Sequence, residues 1–201
     1  MENGNTPRTL IIVLHEIYGV NRHILTVSDN FRQSGYDSIN PDFSGVNIPF
    51  EYEDQEAAYK HFIDKVGFVR AVQTVKKLAA EARHSYRQVF LCGYSIGATV
   101  AWLCSEDRNI DGIIGYYGSR IRDYTGISPQ CPVLLLFPSH EKSFDVCQVS
   151  SGLEKSNVEI HILNGEHGFA DPFSPNYSED SCNSAYRLVR EFLLKNIWRS
   201  L

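Results

Sequence analysis

The run Gln88-Val89-Phe90-Leu91-Cys92-Gly93-Tyr94-Ser95-Ile96-Gly97-Ala98-Thr99-Val100-Ala101 decides how this chain is read. Residues 88–92 form a short apolar run, the pattern of a strand buried on both faces. Residues 96–105 read as a helix. Between them, Gly93-Tyr94-Ser95-Ile96-Gly97 makes a turn tight enough to put the serine on strained dihedrals, with glycines on either side to avoid clashes. Such a turn lifts the hydroxyl above the carboxyl end of a sheet and aims the next helix's N-terminus at it. The bare GxSxG pattern occurs often by chance, so its specificity comes from the strand before it and the helix after it. The bland alternative is a glycine-rich strand-to-helix turn with an idle serine.

Outward from this turn, strands and helices alternate. Residues 9–14 form a β-rich apolar run that ends in the loop His15-Glu16-Ile17-Tyr18-Gly19. A helix over about 21–33 is stopped by Ser34-Gly35, and a short strand over 36–40 ends at Pro41-Asp42. The stretch 43–53, with Gly45, Pro49 and several aromatics, reads as an irregular surface connection. From about 55 to 83, apolar residues recur at helical steps, interrupted near Gly67. Further strands are expected at 111–116, 132–137 and 158–163, and helices at 145–155 and about 181–197. This alternation implies a parallel sheet of about six strands covered by helices on both faces. There is no repeat or linker, so residues 1–201 are expected to form one domain.

Composition narrows the class. A chain of 201 residues can bury roughly 70% of its unfolded surface without staples. The net charge of −5 argues against nucleic acid or an anionic membrane as the main partner. No apolar run reaches the length of a membrane span, and the polar first nine residues carry no secretion-type core. Cys92, Cys104, Cys131, Cys147 and Cys182 form an odd set without paired spacing. They fit free thiols in a reducing compartment and neither a disulfide framework nor a zinc site. A cytoplasmic location is expected.

A serine hydroxyl needs a base. His167, in Asn164-Gly165-Glu166-His167-Gly168-Phe169, follows the last strand and stands in the chain order nucleophile, acid, histidine. The other histidines sit on helices (His61, His84), inside a strand (His161) or flanking other elements (His15, His23, His140). The acid must come from the loop after strand 132–137. Glu141 has the usual offset and is favoured, while Asp145 stands where N-capping of the next helix explains it. A carbonyl attacked by Ser95 needs two preorganised donors for its oxyanion. The amide of Ile96, next to the nucleophile, and that of Ile17, after the first strand, are the expected pair.

The stretches His15-Glu16-Ile17-Tyr18-Gly19-Val20-Asn21, Ala58-Tyr59-Lys60, Gly93-Tyr94-Ser95-Ile96-Gly97 and Glu166-His167-Gly168-Phe169 span nearly the whole chain. In that order they resemble the dienelactone hydrolase family of α/β-hydrolases. The resemblance implies the α/β-hydrolase fold, a Glu16 that points into the site toward the nucleophile or its proton, and a Tyr59 that lines the substrate pocket. Three departures stand out. The family's nucleophile is cysteine, and this chain has Ser95. Where the family clamps a substrate carboxylate with two arginines, this chain has Gln55 and Asp171, so dienelactone itself is expected to be a poor substrate. The chain begins almost at the first parallel strand, so the family's N-terminal antiparallel strands are expected to be absent.

Together these readings lead to a serine hydrolase that acts on a small, neutral or weakly charged ester, lactone or thioester. No metal or organic cofactor is implied, and a monomer or homodimer is expected. The competing reading is a non-catalytic member that keeps the fold to bind a ligand or partner. Lipase-like action on long acyl chains is disfavoured, because the segment between Gly115 and Pro132 has no room for a long lid.

Overall fold

The structure is a computed structural model and describes residues 9–197. Of the polar first nine residues, expected to carry no secretion-type core, residues 1–8 lie outside the described residues. So do residues 198–201.

Six strands, β1 (Thr9–Leu14), β2 (Asp37–Ile39), β3 (Gln88–Tyr94), β4 (Gly112–Tyr116), β5 (Val133–His140) and β6 (Val158–Glu166), form one sheet in the order β2-β1-β3-β4-β5-β6. All neighbouring pairs are parallel. The helices are α1 (Arg22–Gln33), α2 (Gln55–His61), α3 (Gly67–Ala82), α4 (Ile96–Cys104), α5 (Val146–Gly152) and α6 (Glu179–Ile197). A π-helical segment, Phe62–Val66, joins α2 to α3, where the helical periodicity broke near Gly67.

Side chains alternate across the pleat, so each central strand feeds two cores. Leu10, Ile12, Val89, Leu91, Val133 and Leu135 pack against α3 and α4 on one face. Ile11, Val13, Phe90, Cys92, Leu134 and Leu136 meet α1 and α6 on the other. Helix α4 is apolar nearly all round and correspondingly buried, with only Leu103 partly exposed. Among the described residues, no helix is long and apolar enough to cross a membrane.

Three element ends differ from the sequence reading by three residues, and the others by less. Strands β5 and β6 run on past residues 137 and 163, because they pair with each other through a register shift at Pro138/His140. Pro138 and the polar residues after it conceal this extension in the sequence. It brings Glu141 and His167 directly to the strand ends. Helix α5 is shorter than expected, capped by Asp145 and ending at Gly152.

Candidate active site

The chain order reverses at β1: the first crossover goes to β2 on one side, and the next returns to β3 on the other. At such a switch point the loops leaving adjacent strands diverge and open a crevice at their carboxyl ends. Here the crevice is a cavity of about 440 Å³. The exits of β1, β3, β5 and β6 deliver Glu16, Ser95, Glu141 and His167 to its wall.

Ser95 has φ 53° and ψ −114°, outside the regions an L-residue ordinarily occupies. Two bonds hold it there. Its amide donates to the Tyr116 carbonyl at 2.9 Å, and its carbonyl accepts from the Thr99 amide at 3.2 Å, which opens α4. The flanking glycines are required by close approach. A Cβ on Gly93 would overlap the Gly97 backbone, and one on Gly97 would run into the carbonyls that end β1. Ile96 leads α4, and its amide belongs to the first turn, where no intrahelical acceptor exists and the helix dipole is positive. Ile17 and Ile96 both line the cavity beside Ser95.

The Ser95 hydroxyl lies 2.9 Å from His167 Nε2 as donor, and His167 Nδ1 lies 2.6 Å from Glu141 Oε1. The Glu141 side chain is 5% exposed. Asp145, the rival acid, accepts from the Gln148 amide at 3.1 Å and caps α5 instead. His167 sits between Gly165 (φ 139°) and Gly168 (φ 92°), which turn the chain back so that its ring meets the serine. Asn176 Nδ2 donates to its carbonyl at 2.8 Å, and the buried ring of Tyr117 packs 4.9 Å from the imidazole.

Glu16 does point into the site and is 4% exposed. Burial pushes its carboxyl up to about 7; the neighbouring Asp171 carboxylate adds to the rise, and His167 opposes it. His23, behind it, is pushed down to about 4 by burial. Asp171 is also buried and accepts from the Tyr52 hydroxyl. Gln55 and Tyr59 line the cavity, and the Tyr59 hydroxyl accepts from Arg120 Nη1 at 2.7 Å. His15 has a supporting position: its Nδ1 is 2.6 Å from the Glu16 carbonyl, and its Nε2 is 3.2 Å from the Phe43 nitrogen and 3.5 Å from Asp42 Oδ1.

Sequence reasoning passed over Tyr52, Arg120, Tyr117 and His23. Tyr52 and Arg120 lie in irregular or 3-10 segments without a motif. Tyr117 follows β4 directly, so its place at a strand exit was the available signal. His23 was set aside as flanking an element, although its ring turns back toward Glu16.

A serine on a strained strand-to-helix turn, over the middle of a parallel sheet and within hydrogen-bond reach of an imidazole, defines the α/β-hydrolase class. The model of the dienelactone hydrolase family matches residues 2–197. The uncharacterized protein YczH of Bacillus subtilis (strain 168) is 36% identical over 171 residues, which cover 84% of each chain. Carboxymethylenebutenolidase 1 of Cupriavidus pinatubonensis is 22% identical over 92% of this chain and 85% of its own. A solved structure from Klebsiella pneumoniae, provisionally assigned as a dienelactone hydrolase, has the same fold. Its TM-score is 0.79 at 21% identity, over 94% of this chain and 87% of that one. The chain belongs to the dienelactone hydrolase family, and with it to the ester-cleaving hydrolases.

Proposed function

We propose that the chain is a serine hydrolase that cleaves a small carboxylic ester, lactone or thioester through an acyl-enzyme on Ser95. One observation carries this reading: Ser95 Oγ stands 2.9 Å from His167 Nε2, while Nδ1 of the same ring is 2.6 Å from Glu141. Ser95 Oγ attacks the carbonyl carbon as its proton passes to Nε2, and the Glu141 carboxylate stabilises the imidazolium that forms. The amides of Ile17 and Ile96 donate to the oxyanion, each worth about 3–4 kcal/mol in the transition state. Collapse expels the alkoxide or thiolate, which takes the proton from His167. A water then gives its proton to His167 and attacks the acyl group, and the second collapse releases the acid and restores Ser95.

The cavity of about 440 Å³ suits a small substrate. Glu16 and Asp171 on its wall disfavour an anionic acyl group beside them, in keeping with a neutral or weakly charged substrate. The test is a fluorophosphonate probe together with short-chain nitrophenyl esters. Labelling at Ser95 and turnover, both lost in Ser95→Ala, are expected. A wild-type protein that neither labels nor turns over would rule the reading out.

A further inference from the structure

Three side chains unused by the acyl-transfer machinery converge beside it. Glu16 comes from the β1 exit, His23 from the first turn of α1 and Asp171 from the loop after β6. Each is at least nine-tenths buried, and one donor atom from each lies within 4.8 Å of the others. His23 Nδ1 is 3.6 Å from Asp171 Oδ2 and 4.0 Å from Glu16 Oε2. Tyr94 holds the ring edge-on at 4.7 Å, and neither ring nitrogen has a hydrogen-bond partner. Among the described residues, no lysine or arginine pairs with either carboxylate. Buried polar groups are ordinarily partnered, and buried carboxylates are costly side by side without a cation. Asp171 accepts from the Tyr52 hydroxyl and, at 2.8 Å, from the Phe173 amide, but neither bond offsets the paired negative charge. A cation would do so and would also take up one of the two unpartnered nitrogens of His23.

We propose that Glu16, His23 and Asp171 form a binding site for a divalent transition-metal cation. An imidazole nitrogen and two carboxylate oxygens are a donor set suited to Mn²⁺, Fe²⁺ or Zn²⁺. Metal–ligand lengths near 2.0–2.2 Å hold donors roughly 3–3.5 Å apart, so binding closes the imidazole–carboxylate pairs, now at 3.6 and 4.0 Å, by up to about 1 Å, and the two carboxylates, within 4.8 Å of each other, by up to about 1–2 Å. The Tyr52 hydroxyl already donates to Asp171 and orients that ligand, as outer partners of metal sites do. Glu16 and Asp171 both line the cavity, so the ion's remaining positions face the substrate. Two carboxylates and a dication sum to zero, which makes this wall, next to Ser95, a place for a substrate oxygen.

The test titrates the chelator-treated full chain with Zn²⁺ and then Mn²⁺ by calorimetry, with the melting temperature followed in parallel. One equivalent of either ion, bound at micromolar Kd or tighter with a rise in Tm, is expected. Affinity should fall at least tenfold in both His23→Leu and Asp171→Asn and survive in Cys147→Ser, which removes the exposed thiol. No binding, or binding equally strong in the variants, overturns the site. If His23→Leu does not fold, the isosteric Asp171→Asn decides alone. Ser95→Ala should bind the ion as wild type does, so loss of the hydrolase reading and loss of this site are separate results.

Discussion

Helix α4 passes so close to the end of β1 that a Cβ on Gly97 would lie 2.6 Å from the carbonyl oxygen of His15. Both partners are backbone on buried elements, so neither can swing away. Gly97→Ala must push α4 off the strand and displace Ser95 with it. A loss of about 1–3 kcal/mol is expected, or roughly 2–4 °C in Tm per kcal/mol for a chain of this size. Ester turnover should fall with it. A thermal melt matching wild type would show that the contact is not as tight as it stands here.

Ser95 carries its strain in the backbone, so removing the hydroxyl alone does not relieve it. Ser95→Gly should therefore be more stable than Ser95→Ala, by about 1 kcal/mol after glycine's extra unfolded-state entropy is set against the relieved strain. Both variants should lose turnover. Equal melting temperatures for the two would remove strain from the account of this turn.

Glu141 and Asp145 separate by function. Glu141→Gln keeps the shape beside His167 but cannot stabilise the imidazolium, and a fall in kcat of about 10⁴ is expected by analogy with serine-protease acids. Asp145→Ala should leave kcat nearly unchanged and cost about 1 kcal/mol of stability through the lost helix cap. The two kcat values of these variants decide the assignment, and a larger loss in the Asp145 variant would reverse it.

Asp42 links acidity to the stability of the loop that supports Glu16. The His15 imidazole beside it, aided by hydrogen bonds from the Ser44 hydroxyl and amide, holds its carboxyl well below the usual 3.8. A folded-state value below the unfolded one means the ionised form is favoured by folding. That contribution is complete above the unfolded value and is lost as pH falls through the folded one. The Tm gap between wild type and Asp42→Asn should be largest near pH 6 and narrow toward pH 3. A gap that stays constant over this range would contradict the pairing.

Much of this site was legible before any coordinates. Ser95, His167, Ile17 and Ile96 sit at or beside strand exits, and strand exits are visible in the alternation of apolar runs and turns. The preference for Glu141 over Asp145 rested on its offset from the strand and on the helix cap that explains Asp145; the extension of β5 through Pro138, which sets where Glu141 stands, was hidden in the sequence. Tyr117 shares the strand-exit signal, but its packing against His167 does not show in the chain, and Tyr52 carried no signal at all, because it meets Asp171 from 119 residues away.

The sequence by itself determined the parallel sheet, the turn at Ser95 and the placing of Ser95, Glu141 and His167 at strand exits, because these depend on local periodicity and on glycines placed where no side chain fits. Only the tertiary structure decided that Glu16, His23 and Asp171 share one buried volume beside Ser95. Their convergence depends on where α1 and the loop after β6 come to rest against the sheet. That is set by the burial of Ile24 and Phe169 in one core, not by any spacing along the chain.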